Sequence, residues 1–421
     1  MKVMVIGGGG REHAIIKKIK ENKRVTEIFA LPGNGGIAKD AVCVDIAATD
    51  IQKITTFAVE NKIDFAIVAP DDPLVLGAVD LLNEAGIKTF GPNKRAAIIE
   101  GSKAFSKSLM KKYGIPTAEY KIFDSKEEAL TYLNNIDYPV VIKADGLALG
   151  KGVIIAETRQ EAESAIISMM EDKIFGDSGS KVVVEEFLTG PEVSVLAFTD
   201  GKTLIPMVSS MDHKRALDED KGLNTGGMGT IAPNPYYTED IAKRCMDEIF
   251  IPTMEAMNKE NRSFSGCLYF GLMLTEKGPK VIEYNCRFGD PETQVVLPLL
   301  ESDLLDIMIK IYEGNLAEAD VRFRDNSACC VIMASEGYPG SYEKGFEISM
   351  PEDKNIYVAG AIMKDNMLFT SGGRVLGVTE IGSSLKEAIK KAYETVGQVS
   401  FANAYYRKDI GKKALMAERD N

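Results

Sequence analysis

The chain opens with Val3-Met4-Val5-Ile6 running straight into Gly7-Gly8-Gly9-Gly10 and then Arg11-Glu12-His13, which commits it to a strand, a glycine turn and a helix. The helix spans Arg11–Lys20, with Ala14, Ile15 and Ile19 at helical spacing. A second strand, Glu27–Leu31, breaks at Pro32-Gly33-Asn34-Gly35-Gly36, and Ala41–Val44 reads as a third. Ile51–Asn61 reads as helix and Asp64–Ala69 as a buried strand stopped by Pro70-Asp71-Asp72-Pro73. Leu74–Ala85 reads as helix and Lys88–Phe90 as a last strand. This alternation predicts an open parallel sheet covered by helices. Ligands of such sheets sit beyond the carboxyl ends of the strands, the edge on which these turns fall.

After Gly101 the texture changes. A helix at Ser102–Tyr113 leads to a strand-rich unit: Val140–Ala144, a loop Asp145–Gly152, Val153–Ala156, a helix near Arg159–Glu171, and Val182–Phe187. Glu192 to Asp212 reads as long antiparallel strands, and the glycine-rich stretch Lys214–Pro235 is too long for a mere connector. A helix at Glu239–Asn258 is followed by the strands Gly266–Thr275 and Lys280–Tyr284, an Arg-Phe-Gly-Asp-Pro turn and a helix at Ser302–Tyr312. Beyond about Phe323 come the short strands Cys329–Ala334, Ile356–Met363 and Arg374–Thr379, and a helix at Leu385–Val396. No internal repeat is present. A length of 421 residues is enough for two to four domains at about 150 residues each.

Composition removes several classes. The net charge of −12 argues against a general binder of nucleic acid or anionic membrane, which needs spread Lys and Arg to replace counterions. No apolar run is long enough to span a bilayer, and the N-terminus lacks the pattern of a signal peptide. Six cysteines without a CxxC pattern and two histidines speak against a zinc or iron–sulfur site. Reduced thiols and a cytoplasmic location are the expectation.

The N-terminal glycine turn lets backbone approach a ligand, and a helix start favours an anion. A dinucleotide fits poorly. The GxGxxG pattern needs glycine where Glu12 stands, and the second strand ends at Ala30-Leu31-Pro32 without a carboxylate for a ribose. The phosphate of a smaller metabolite and a purely structural turn remain as readings.

Three features in the middle of the chain belong together chemically. Lys143 ends the apolar strand Val140-Val141-Ile142 and needs an anionic partner to stay charged there. Gly146-Leu147-Ala148-Leu149-Gly150-Lys151-Gly152 follows, a loop able to close over phosphates with backbone N–H groups. It is not the GxxxxGK[ST] motif, because Val153 stands where the hydroxyl should be. Val182-Val183-Val184-Glu185-Glu186-Phe187-Leu188 then offers a strand edge for a base and carboxylates for a ribose. Each alone has a bland explanation as a surface lysine or a plain turn; all three within about fifty residues point to a nucleotide.

A second carboxylate site lies at Val281-Ile282-Glu283-Tyr284-Asn285-Cys286-Arg287-Phe288-Gly289-Asp290-Pro291-Glu292. Strand alternation puts Glu283, Asn285 and Arg287 on one face, with Tyr284, Cys286 and Phe288 on the other. Two hard oxygen donors suit Mg²⁺ shared with nucleotide phosphates, and Arg287 suits a carboxylate or phosphate beside it. Asp212-His213-Lys214-Arg215 precedes Asn224-Thr225-Gly226-Gly227-Met228-Gly229. His213 alone does not make a base; Lys214 and the glycines read as a second anion-binding surface.

The combination GGREHA, PGNGG, EGSKAFSK, KADGLALGKGV, SMDHKR, NTGGMG, EYNCRFGDPETQ and YRKDIG, in order from residue 7 to residue 411, resembles the phosphoribosylamine–glycine ligase (glycinamide ribonucleotide synthetase) family of the ATP-grasp superfamily. The resemblance implies an α/β and α+β multidomain fold. Its units would be a preATP-grasp open parallel sheet (1–101), a central ATP-grasp domain (102–120 and 190–323), an ATP-grasp lid (121–189) and a small mixed α/β C-terminal domain (324–421). It implies ATP-dependent joining of glycine to 5-phosphoribosylamine, giving glycinamide ribonucleotide, ADP and phosphate through a glycyl phosphate, in de novo purine biosynthesis. It also implies Mg²⁺ or Mn²⁺, ATP as co-substrate, no nucleic-acid or membrane partner, and a transient handover between neighbouring purine-pathway enzymes.

Carried onto this chain, the resemblance gives Lys103, Lys143, Lys151, Gly150 and Gly152 to ATP phosphates, and Glu185, Glu186, Phe187, Leu188 and Glu192 to adenine and ribose. Glu283 and Asn285 would bind metal. Gly9, Gly10, Arg11, Glu12, Asn34, Gly35, Asp71 and Pro73 would face phosphoribosylamine. Asp212, Lys214 and Arg287 would lie at the glycine carboxylate or its acyl phosphate. There are departures: Asp71 stands where the family has Glu, Leu223 replaces a usual Pro, Met211 a usual Gln, and Val358-Ala359-Gly360-Ala361 a usual His-Ala-Gly-Thr. The strand Gly266–Thr275 carries no acid for a second metal. The rivals are another ATP-grasp ligase or carboxylase, an NAD-dependent oxidoreductase and a nucleotide sensor without turnover.

Overall fold

Lys2–Gly7 forms the centre of the expected parallel sheet, paired with Glu27–Pro32 on one side and Phe65–Val68 on the other. Val42–Cys43 and Lys88–Phe90 complete the two edges, also parallel. The protein is seen in a computed structural model that describes residues 1–147, 152–172, 174, 176–352 and 354–420. Alternation along the central strand sends Met4 and Ile6 into one apolar cluster and Val3 and Val5 into another, all fully buried. A sheet buried on both faces explains why these strands read as continuous apolar runs.

The expected helix Leu74–Ala85 is two helices, Asp71–Leu76 and Ala78–Glu84. The strand stops before Pro70 as expected, but Pro70 is extended and starts the first helix, so the Pro-Asp-Asp-Pro stretch opens a helix rather than forming only a turn. Asp71 and Asp72 in its first turn suit the positive helix end. Gly77 at φ +98° divides the two, a backbone conformation that side chains resist. A helix not expected from the sequence, Lys94–Gly101, leads into Lys103–Tyr113, and Ser102 Oγ caps the second by accepting from Phe105 N.

Residues 120–186 form an antiparallel sheet ordered Tyr120–Phe123, Val182–Glu186, Val140–Ala144, Val153–Ala156. The helices Lys126–Tyr132 and Arg159–Met170 flank it, and it has an apolar cluster of its own. A second antiparallel sheet runs Leu204–Pro206, Glu192–Thr199, Gly266–Thr275, Gly278–Asn285. The helix expected over Glu239–Asn258 is present, with a wider π turn at Met246–Phe250 between its halves.

The last sheet departs most from expectation. Its order is Met211–Asp212, Gly229–Ala232, Ser327–Ser335, Arg374–Gly382, Asn355–Val358, so two strands from the middle of the chain join those of the C-terminal part. The stretch between those two strands carries a small hairpin, Arg215–Leu217 with Lys221–Asn224. The single strand expected at Ile356–Met363 is two, because Ala361–Lys364 pairs instead with Met367–Thr370 in a small separate sheet. Among the described residues no helix is long and apolar enough to cross a membrane.

Candidate active site

The strand Gly278–Asn285 delivers Glu283 and Asn285 to the site, and Arg287 follows just beyond its end. Tyr284 is buried on the opposite face, as the alternation requires; past the strand's end Cys286 is buried in the same apolar cluster, whereas Phe288, expected on that face too, is buried in a different one. Glu283 is ringed by cations. Burial works against its charge, but Lys214, Lys143, Lys103 and Arg287 together hold its carboxyl below the usual range. Asn285 has its Nδ2 donating to Glu100 Oε1 (3.0 Å) and Tyr284 O (3.1 Å), which leaves Oδ1 as an acceptor. Arg287 Nη2 lies 2.9 Å from Glu100 Oε1 and 3.7 Å from Asp71 Oδ2.

On the neighbouring sheet Lys143 is buried at its strand end, as its position suggested, with an anionic partner. Its Nζ stands 3.1 Å from Glu185 Oε2 and donates to Ile282 O at 3.1 Å. Lys107 reaches the same Glu185 oxygen at 3.0 Å, and burial brings its pKa down to about 8. Lys103 donates to Gly146 O at 2.9 Å. Glu185 Oε2 is therefore occupied by two ammonium groups, while Oε1 is buried without a partner. Glu186 pairs with Lys280 at 2.7 Å, and Phe187 beside it is exposed at 37%. Gly152 is buried and accepts from Ala144 N; Gly150 and Lys151 lie outside the described residues.

Asp212 and Lys214 flank the buried His213. Lys214 pairs with Glu192 at 2.8 Å, so Glu192 stands beside the lysine rather than free at the Glu185–Leu188 edge. Burial opposes the Lys214 charge, yet Glu192 and Glu283 hold its pKa well above the ordinary lysine value. Burial, then Glu292, pushes the Asp212 carboxyl well up. His213 is neutral by construction: Nδ1 donates to Gly229 O (3.1 Å) while Nε2 accepts from Gly411 N (3.1 Å). Burial, aided by nearby Arg407, lowers its pKa to about 4, consistent with a structural and not a proton-transferring residue.

The N-terminal turn meets the turn that follows the strand Gly278–Asn285. Arg11 N lies 3.3 Å from Asp290 Oδ2, and Arg11 Nη1 donates to Phe288 O at 3.2 Å. Gly8 packs so closely that a Cβ there would stand 2.4 Å from Gly33 O. Two expected ligand-facing residues are turned to architecture instead. Glu12 is buried, with Oε2 accepting from Gly9 N and Oε1 from Arg11 Nε, both at 2.6 Å, so its carboxylate caps the helix rather than facing a substrate. Asn34 spends its amide on Gly8 O, Val358 O, Gly36 N and Ile37 N. Gly35 N likewise donates to Ala361 O. Gly9 and Gly10 face Asp290 and Gln294, Asp71 faces Arg287, and Pro73 is buried in the first turn of the helix that Asp71 begins.

Five buried side-chain polar atoms lack a hydrogen-bond partner among the described residues, and four of them belong to this cleft: Glu185 Oε1, Asp212 Oδ1, Arg287 Nε and Gln294 Oε1. Orphaned polar atoms cost free energy and are rare, so their clustering marks a place shaped for a polar ligand. Sequence reasoning passed over Glu100, Lys107 and Glu292. Lys107 had a visible signal, because it lies one helical turn after Lys103 and so shares its face. Glu100 and Glu292 sit inside quoted motifs, but nothing local says which way they point.

Three family models cover nearly the whole chain: phosphoribosylglycinamide synthetase N domain over residues 1–100, ATP-grasp (A) domain over 101–293 and C domain over 328–413. The chain belongs to the phosphoribosylglycinamide synthetase family. A relative named phosphoribosylamine–glycine ligase from Caldanaerobacter subterraneus subsp. tengcongensis is 50% identical over 413 residues, covering 97% of this chain and 99% of its own. One of the same name from Escherichia coli O157:H7 is 45% identical, with both chains fully covered. The crystal structure of a Thermotoga maritima phosphoribosylamine–glycine ligase matches with TM-score 0.87 at 34% identity, over 97% of this chain and 100% of that one. A Campylobacter jejuni biotin carboxylase matches at TM-score 0.74 and 15% identity, over 100% of this chain and 95% of that one, a likeness of fold alone. As a family member the protein is an ATP-grasp enzyme that uses ATP and a divalent metal ion.

Proposed function

We propose that this family member joins glycine to 5-phosphoribosylamine, with glycinamide ribonucleotide, ADP and phosphate as products. The observation that carries the reading is the gathering of the cations Lys103, Lys143, Lys214 and Arg287 around Glu283, with buried polar atoms of Glu185, Asp212, Arg287 and Gln294 left without a partner among the described residues. Such a site suits several negative charges held together on a polar ligand.

The chemistry demands little of any nucleophilic side chain. A glycine carboxylate oxygen attacks the γ-phosphorus of ATP, and ADP leaves. The resulting acyl phosphate has a good leaving group, so the amine of phosphoribosylamine attacks its carbonyl carbon and phosphate departs. The protein's share is to neutralise charge, align the three substrates and exclude water. Lys103 and Lys143 suit the ATP phosphates, with the Glu185–Leu188 edge for adenine and ribose. Arg287 suits the glycine carboxylate, with Asp212 and Lys214 beside it. Gly9, Gly10, Arg11 and Asp71 suit the ribose phosphate.

The donors also fit a metal. Glu283 is kept ionised, Asn285 Oδ1 is turned away from Glu100, and no group of three acidic, histidine or cysteine side chains competes among the described residues. Two hard oxygens match Mg²⁺, or Mn²⁺ in its place, completed by nucleotide oxygens. A divalent ion held by Glu283 and Asn285 would neutralise phosphate charge during the transfer. The enzyme would work in the cytoplasm, in transient contact with the purine-pathway enzymes on either side.

The test is phosphate release from ATP and Mg²⁺ with glycine and freshly generated phosphoribosylamine, added singly and together. Release that needs both, in step with glycinamide ribonucleotide, is the expected result. Turnover without glycine, or none with any combination, would remove the substrate assignment and send the search to other carboxylic acids.

A further inference from the structure

Arg374 begins the strand Arg374–Gly382 of the C-terminal sheet, remote in sequence from every residue considered above as a ligand. Its Nη1 donates to Gly226 O at 2.7 Å and to Asp290 O at 3.0 Å, and lies 3.4 Å from both Gly227 O and Asp290 Oδ1. One nitrogen thus gathers two separate loops, the glycine stretch Asn224–Gly229 and the turn Arg287–Glu292. The fit is close: a Cβ on Gly226 would stand 2.9 Å from Arg374 Cζ. The next residue, Gly227, at φ +111°, has no room either; its Cβ would meet Pro291 Cδ at 2.4 Å and Asp212 Oδ1 at 2.6 Å. Gly227 is therefore the wall beside Asp212 Oδ1, a buried oxygen without a hydrogen-bond partner among the described residues. The carbonyls Arg374 holds fix where that wall stands.

We infer that Arg374 is a positioning residue for the glycine half of the reaction. It clamps Gly226 and Gly227 to the Asp290 turn, so that Asp212 meets glycine or its acyl phosphate in one orientation. A planar guanidinium with several fixed donors suits this bridging; a lysine offers only a point charge. Lys103 and Lys143 make their contacts with Gly146, Glu185 and Ile282, none of which Arg374 touches, so ATP binding stands apart. The inference rests on the ligase reading above.

The test uses the full chain. Wild-type turnover with glycine and phosphoribosylamine checks the ligase reading by itself. Arg374→Ala, Arg374→Lys and Gly226→Ala are then compared by kcat, by KM for glycine and by affinity for a non-hydrolysable ATP analogue. Arg374→Ala is expected to lower kcat/KM for glycine by about ten- to a hundredfold, the scale of losing hydrogen bonds to a charged group, with analogue affinity unchanged. Arg374→Lys should recover part of the loss. Gly226 is exposed and not in the left-handed region, so Gly226→Ala perturbs the contact from the opposite side without endangering the fold, and decides the matter should Arg374→Ala not fold. The double variant should be no worse than Arg374→Ala, because neighbours that share one contact are not additive. Wild-type glycine kinetics in Gly226→Ala, or an equal loss of ATP-analogue affinity in either variant, would overturn the inference.

Discussion

Arg287 Nη2 stands 2.9 Å from Glu100 Oε1, and Glu100 is buried at the end of the helix Lys94–Gly101. Glu100 also accepts from Cys286 N at 2.7 Å and from Asn285 Nδ2 at 3.0 Å, so one carboxylate fastens Asn285, Cys286 and Arg287 at and just past the end of the strand Gly278–Asn285. Burial pushes the Glu100 carboxyl up and Arg287 pulls it back. Glu100→Ala is expected to cost about 3 kcal/mol, because it leaves Arg287 enclosed with only the more distant Asp71. Urea unfolding and turnover check it together; unchanged stability would mean that Asp71 suffices.

Glu283→Gln keeps the shape of the side chain and removes its charge. Metal-dependent phosphate release is expected to fall at least about a hundredfold while the circular dichroism spectrum stays that of the wild type. Wild-type activity in this variant would show that the metal is held elsewhere.

Gly8→Ala tests the N-terminal turn. Its added methyl must push Gly33 O away, and both turns are backbone, with no flexible side-chain end to yield. Expected are a loss of about 1–3 kcal/mol and a raised KM for phosphoribosylamine. ATP-analogue affinity is expected to hold, which separates this effect from general damage.

The two histidines set an acid limit. His213 accepts a proton at about pH 4 in the folded chain, against an ordinary value near 6.5, and burial lowers His13 in the same direction. The unfolded chain therefore takes up protons first on acidification. The stability these neutral rings contribute is whole above about pH 6.5, drains away as pH falls toward about 4 and then levels off, with at most about 3 kcal/mol from His213. Urea midpoints taken across this window in the wild type and in His213→Asn check it: the variant should show the shallower slope.

Much of the fold was legible because its signals are local. The parallel sheet is written in Val3–Ile6 and Asp64–Ala69, whose apolar runs admit few alternatives. The strand Gly278–Asn285 is written in the alternation of Glu283 and Asn285 with Tyr284. What stayed hidden depends on distant partners. Met211–Asp212 and Gly229–Ala232 are short, the second begins with glycine, and the second pairs with Ser327–Ser335 almost a hundred residues later. Glu12 and Asn34 sit in convincing ligand motifs, yet Glu12 spends its oxygens on Gly9 N and Arg11 Nε, and Asn34 spends its amide on backbone. Composition cannot tell a carboxylate that caps a helix from one that faces a substrate. The broken helix at Gly77 was readable, since glycine inside a helical pattern is a known cost.

The Gly229–Ala232 strand, seated between Met211–Asp212 and Ser327–Ser335, takes one neighbour from before it and one from almost a hundred residues after it in the order of synthesis. Until the segment around Val331 has been synthesised, Gly229–Ala232 presents a bare edge of backbone groups, with Ile231 and its neighbours still uncovered. The late C-terminal portion is thus the missing neighbour of an early strand.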